Sequence, residues 1–236
     1  MMAMNMQLIP SQERGRTRLT WLDSRHSFSF GHYYEPRRMG FGSLRVINED
    51  VVAPKGGFST HPHANMEIVS IVLSGALAHR DSVGTVQTIE AGEVQRMSAG
   101  TGIEHSEFNP SSSDPVHFLQ IWLHPAHRDR PPSYAQRAFD EAERRGRWQT
   151  VVSPDGREGG LTIDQDASLH LSTLPAGSTL ARPLVTGRRA FVQVVSGSLD
   201  ANGQALDAGD GLAISGGDEL VLRARVDSAV LLFDLA

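Results

Sequence analysis

The chain contains no cysteine. Disulfides and thiolate ligands are thereby excluded, and any metal must be held by His, Asp or Glu, which favours hard-to-borderline ions. Long apolar runs are missing too. Nothing approaches the roughly 18 residues of a membrane span, and the opening MMAMNMQLIPSQERGR has neither a continuous apolar stretch nor a small-residue cleavage site. These absences predict a soluble protein of the cytoplasm that avoids membranes. A surplus of basic charge is also lacking. With a net charge of −5 and a pI near 6.0, the balance cannot neutralise phosphates broadly, so direct nucleic-acid binding is not expected. No Ser-His-Asp arrangement and no HExxH occur. Gly100-Thr101-Gly102 has no following Lys and no helix-opening pattern, so it reads as a turn between strands and not as a phosphate loop.

Short runs rich in Val, Ile, Leu and Phe are what the chain does contain. They fall at 42–52, 67–73, 83–89, 116–122, 190–195, 219–223 and 229–235, punctuated by Gly, Asp, Asn and Ser. That rhythm predicts an all-β fold of barrels or sandwiches with little helix. The one helical stretch to consider, Ala135 to Arg147, has many charges but no apolar stripe, so it reads as an extended, solvated linker. The Pro-rich segment His124 to Ser133 is the natural boundary, giving domains at 1–132 and 133–236. The halves repeat weakly. Val72-Leu73-Ser74-Gly75 recurs as Val194-Val195-Ser196-Gly197, and Glu90-Ala91-Gly92-Glu93 recurs as Asp207-Ala208-Gly209-Asp210. Carrying the local offset of each repeat to the polar pairs sets Pro183 and Val185 opposite His61 and His63, and Leu222 and Ala224 opposite His105 and Glu107. The second copy is thus expected to lack metal ligands.

Two polar pairs carry the chemistry: His61-Pro62-His63 and His105-Ser106-Glu107. Their i, i+2 spacing sends both side chains of a pair to one face of a β-strand, whereas a helix would turn them nearly opposite ways. Two such strands facing each other in a barrel would offer three imidazoles and a carboxylate to one divalent ion, with positions left open for substrate or dioxygen. The remaining histidines lack paired spacing, and hydrogen bonding or exposure is the default for each.

The pattern Gly57-(x)3-His61-x-His63-(x)3-Glu67-(x)7-Gly75, then Gly92 and His105-(x)3-Asn109, resembles the two motifs of the cupin superfamily. Trp21-Leu22-Asp23-Ser24, His26-Ser27-Phe28-Ser29-Phe30, Met39-Gly40-Phe41, Thr60-His61-Pro62-His63 and Ser98-Ala99-Gly100-Thr101-Gly102-Ile103 resemble, more narrowly, the pirin family. That resemblance implies a bicupin, two jelly-roll β-barrels in one chain, with a single metal in the N-terminal barrel. It also implies a quercetin 2,3-dioxygenase activity that opens a flavonol with O2 and releases carbon monoxide. The family metal is usually taken to be Fe(II); Mn, Ni, Co, Cu and Zn suit the same donors. Cupins in general nominate Glu67 as the carboxylate ligand and the pirin pattern nominates Glu107. We favour Glu107, which also serves as the general base for the substrate hydroxyl, and give Glu67 the role of orienting a histidine. Phe58, Phe108, Met97 and Trp122 are expected near a flat aromatic substrate. The resemblance leaves an alternative of another class, a metal- or redox-dependent regulator that binds a protein partner.

Overall fold

A computed structural model describes residues 4–236 of the chain. The strands are β1 (Asn5–Ile9), β2 (Gly15–Arg18), β3 (Leu22–His26), β4 (Leu44–Val52), β5 (Gly57–His63), β6 (Glu67–Ser74), β7 (Ala76–Asp81) and β8 (Val86–Glu90). They continue as β9 (Glu93–Ser98), β10 (Ile103–Phe108), β11 (Val116–Leu123), β12 (Ser133–Ala138), β13 (Gln149–Ser153), β14 (Leu161–Thr162) and β15 (Ala167–Leu174). The last are β16 (Thr179–Pro183), β17 (Arg189–Ser196), β18 (Ser198–Ala201), β19 (Gln204–Asp207), β20 (Gly211–Ser215), β21 (Glu219–Ala224) and β22 (Ser228–Leu235). Each apolar run noted above contributes a strand. Among the described residues helix is confined to short 3-10 turns, and no helix is long and apolar enough to cross a membrane. The charged stretch 135–147 is partly strand β12 and partly a 3-10 turn, Glu141–Arg144, capped where the Asp140 carboxylate accepts the Ala142 N–H.

The fold is all-β, in two units whose sheets have closely similar strand order, as the bicupin expectation requires. The first comprises Gly15–Phe139 with Ile163–Gln165; the second comprises the described residues up to Arg14, Asp140–Thr162 and Asp166–Ala236. In the first unit a seven-stranded sheet runs β12-β9-β6-β11-β4-β3-β2 and a four-stranded sheet runs β5-β10-β7-β8. The second repeats this as β1-β20-β17-β22-β15-β13-β14 and β16-β21-β18-β19. This division differs from a cut between residues 132 and 133 at both ends. β12 pairs with β9 of the first unit, from Ser133 opposite Ser98 to Ala138 opposite Glu93, and β1 pairs with β20 of the second. The Pro-rich segment precedes the last strand of the first unit and does not end it.

Alternation of side chains decides what lies inside. β11 and β4 pair along their length, burying Val46, Val52, Val116, Phe118 and Ile121. At the hairpin between β6 and β7, Gly75 has φ +76, and a Cβ there would lie 2.8 Å from the Pro115 carbonyl oxygen; its counterpart Gly197 has φ +84. The recurring Ser-Gly pair therefore marks one tight turn used twice.

Candidate metal centre

The four-stranded sheet of the first unit places the polar pairs. β10 lies between β5 and β7, with His105 directly opposite His61 on one side and opposite Asp81 on the other. Burial along β10 alternates strictly: Ile103, His105 and Glu107 face inward, while Glu104 and Phe108 face out. The pairs thus sit side by side in one sheet, and not across the barrel from each other as the spacing alone suggested. A register shift between His105 and Glu107 sets Glu107 opposite Phe58. Gly57 permits this approach: a Cβ there would stand 2.3 Å from the Glu107 carbonyl oxygen.

His61, His63 and His105 each bring a ring nitrogen to within 4.8 Å of the others. The His61 Nδ1–H donates to the Ser59 carbonyl oxygen at 2.8 Å, since a carbonyl only accepts, so Nε2 is the nitrogen His61 could offer to an ion. His63 Nε2 and His105 Nε2 face each other at 3.0 Å. Burial, followed by the neighbouring imidazole of His61, lowers His63 to about 4 and His105 to about 2, so both rings are neutral at physiological pH. Neutral imidazoles are the form that binds metal.

Glu107 is buried beside them. Its Oε2 accepts the Gln120 Nε2–H at 2.8 Å, and Gln120 Oε1 in turn accepts the Trp122 indole N–H at 3.3 Å. Its Oε1 has no hydrogen-bond partner among the described residues. Burial raises the Glu107 pKa above the usual carboxylate range. This buried carboxylate oxygen without a donor belongs to a residue that groups with His105 within 4.8 Å and shares a cavity lining with His61 and His63, an environment that a divalent cation would stabilise. The donor set of three nitrogens and one oxygen fits a divalent first-row ion. Glu67 is placed differently. It lies on β6 in the seven-stranded sheet, and its Oε2 accepts the Ser98 hydroxyl at 2.7 Å, so it orients no histidine.

Two residues missed from sequence complete the cluster. His79 and Asp81 on β7 lie opposite Glu107 and His105 and are buried, and His79 groups with His105 and Glu107 within 4.8 Å. Their spacing is again i, i+2. The pattern His-x-Asp was open to the same strand-face argument as the other two pairs.

Residues 9–123 match the family Pirin, and residues 150–235 match the Quercetinase C-terminal cupin domain. The quercetin 2,3-dioxygenase of Escherichia coli (strain K12) is 46% identical over 225 residues, covering 95% of this chain and 96% of its own. The chain belongs to the pirin family. The crystal structure of YhhW from Escherichia coli matches this pirin with a TM-score of 0.95 at 45% identity, over 98% of each chain. The structure of bacterial pirin YhhW in complex with nickel(II) matches with a TM-score of 0.94 at 44% identity, over 98% of this pirin and 99% of that chain.

Beside the cluster opens a cavity of about 430 Å³, within the roughly 300–1,000 Å³ of small-molecule sites. His61, His63 and Glu107 line one side, with Trp21, Phe30, Phe58 and Trp122 among the ring walls. Trp122 meets both Phe30 (5.3 Å, 85°) and His63 (4.9 Å, 84°) edge-on. Polar groups lie further along: Thr17 Oγ1 is 2.9 Å from His26 Nε2, and His26 Nδ1 is 2.8 Å from Asn48 Oδ1. Of the four residues expected near a substrate, Phe58 and Trp122 line this cavity. Met97 does not, being packed with Ile68, Ala99 and Ile103 in the core, and Phe108 is exposed on the outer face of β10.

Proposed function

We propose that this pirin is a metal-dependent quercetin 2,3-dioxygenase, holding one divalent ion through His61, His63, His105 and Glu107 and opening a flavonol with O2. The observation that carries this reading is the juxtaposition of three clustered imidazoles and an unpartnered, buried carboxylate oxygen with an aromatic-walled cavity. Similarity to a quercetin 2,3-dioxygenase along 95% of the chain supports the substrate class. We assign Fe(II) as the ion from the pirin pattern, with nickel(II), found in YhhW, among the ions the same donors accept. When bound, the ion supplies a Lewis-acid centre that acidifies the flavonol hydroxyl and brings flavonolate and dioxygen together.

The protein's own groups do the rest. The Trp21, Phe30, Phe58 and Trp122 rings hold a planar molecule against the cluster and keep water from it. Glu107 takes the hydroxyl proton, because a ligand carboxylate lies within hydrogen-bond reach of a hydroxyl bound beside it. Gln120, anchored by the Trp122 indole, steadies Glu107 Oε2 during that transfer. Thr17, His26 and Asn48 offer hydrogen-bonding groups to hydroxyls at the far end of the substrate. Ring cleavage releases carbon monoxide. We place the enzyme in the cytoplasm, on its freedom from cysteine and its small-molecule substrate.

Aerobic turnover of quercetin tests the reading. Loss of the flavonol absorbance with one carbon monoxide released per quercetin is expected after anaerobic reconstitution with Fe(II), and Glu107→Ala should retain no metal and release none. A reconstituted enzyme that consumes no quercetin, or a Glu107→Ala variant of undiminished metal content, would overturn it.

A further inference from the structure

We infer that Asp81 and His79 form a positioning pair that sets the tautomer of His105, leaving its Nε2 bare toward the ion. The inference rests on the ligand set proposed above. Asp81 Oδ1 accepts the backbone N–H groups of Val83 (3.0 Å) and Thr85 (2.9 Å), and Oδ2 lies 3.0 Å from His79 Nε2. A carboxylate engaged in this way only accepts, so His79 donates from Nε2, and in the neutral ring assigned to His79 its Nδ1 is bare. That bare Nδ1 lies 3.4 Å from His105 Nδ1. Two bare nitrogens cannot bond, so His105 carries its proton on Nδ1 and donates it to His79. Its Nε2, 3.0 Å from His63 Nε2, is then the lone pair free to ligate.

His79 is not itself a further ligand, because both of its nitrogens are engaged. It is 1% exposed, and the Tyr134 ring packs on it at 4.9 Å, so water does not compete for either nitrogen. The second unit supplies an independent control. There the register partners of Leu222 and Ala224 on the neighbouring strand are Ala201 and Leu199, both fully buried. The fold closes without the pair where there is no ion to hold, so barrel packing does not require it.

Histidine tautomers are readable by 15N NMR on the unloaded, 15N-histidine-labelled chain. His79 protonated on Nε2 alone and His105 on Nδ1 alone are expected. A proton on His79 Nδ1, or on His105 Nε2, overturns the inference without touching the ligand reading. Nickel(II) titration against a competing chelator provides the second arm. Asp81→Asn lets an amide donate to His79 and so reverses the relay; His79→Leu removes the acceptor. Both should bind nickel(II) about 10–100-fold more weakly than the unsubstituted chain. His79→Gln, which restores an acceptor, should recover most of the loss. Affinities of Asp81→Asn and His79→Leu within twofold of the unsubstituted chain overturn the inference. An unsubstituted chain that takes up no nickel(II) overturns the ligand reading, and the inference falls with it.

Discussion

In the first unit the inward positions of three neighbouring strands hold His61 and His63, His105 and Glu107, and His79 and Asp81; in the second they hold Leu180 and Arg182, Leu222 and Ala224, and Leu199 and Ala201. Strand order is shared through the four-stranded sheets and the inner strands of the larger ones, and only the outer edges differ, β14 running parallel to β13 where β2 runs antiparallel to β3. What differs is how the interior is filled. Leu199, Ala201, Leu220, Leu222 and Ala224 join Val192, Val194, Val230 and Leu232 in one apolar cluster, so the second unit gains hydrophobic stabilisation where the first desolvates polar groups. Arg182, in the register of His63, turns instead to His170 (3.0 Å) and Asp234 (3.1 Å). The lesson is that the barrel is indifferent to these positions as a scaffold. On the ligand set proposed above, the first unit keeps costly residues there to serve an ion, and the second shows the fold's own preference.

Importing the second unit's solution into the first should break this contrast most sharply. His105→Leu, copying Leu222, should lower both metal retention and quercetin turnover by at least about a hundredfold. Its unloaded melting temperature should equal or exceed that of the parent, because a buried imidazole has been replaced by a residue the fold prefers. A large fall in that temperature would show that the histidine is needed for folding. The converse change, Leu222→Ala, leaves a cavity in the apolar cluster and should cost about 2–5 kcal/mol by chemical denaturation. Turnover per folded molecule should be unaltered.

A smaller effect should appear with pH. Burial, reinforced by the Arg182 cation, lowers His170 to about 3, against 6.5 when unfolded. The unfolded chain therefore binds the extra proton between these values. The His170 contribution is complete above pH 6.5 and declines as pH falls toward 3, by about 1.4 kcal/mol per pH unit. Asp234, lowered by Arg188 and Arg182 against the effect of its own burial, adds a further decline below pH 3.8. His170→Gln should flatten the upper part of this dependence in denaturation curves collected from pH 7 to 4. Val185→Ala should do least, changing stability by under about 0.5 kcal/mol, since Val185 is 61% exposed.

The small effect expected at Val185 also shows where the sequence was readable. Strand-face spacing picked out His61, His63, His105 and Glu107, and the structure brings the three imidazoles together with Glu107 beside His105, because a period of two survives any error in strand boundaries. Leu222 and Ala224 were matched correctly to His105 and Glu107. Pro183 and Val185 were not the counterparts of His61 and His63: Pro183 points outward and Val185 lies past the end of β16. The reason is local. The connection between the two strands is residues 64–66 in the first unit and 184–188 in the second, so a constant offset slips. The exchange of β1 and β12 between the expected domains has a similar cause, since edge-strand pairing is a long-range choice that a Pro-rich segment does not encode. His79 and Asp81 had the right spacing but were hidden by composition, because a lone His-x-Asp occurs often on surfaces. The cavity walls Trp21 and Phe30 come from segments distant in sequence, and no periodicity links them to the cluster.

The most direct test is the metal stoichiometry of the reconstituted chain, by elemental analysis alongside the His105→Leu and Leu222→Ala variants. One ion per parent chain is expected, retained in Leu222→Ala and absent from His105→Leu. Two ions per chain, or one ion that survives the loss of His105, would contradict the assignment of the centre to the first unit.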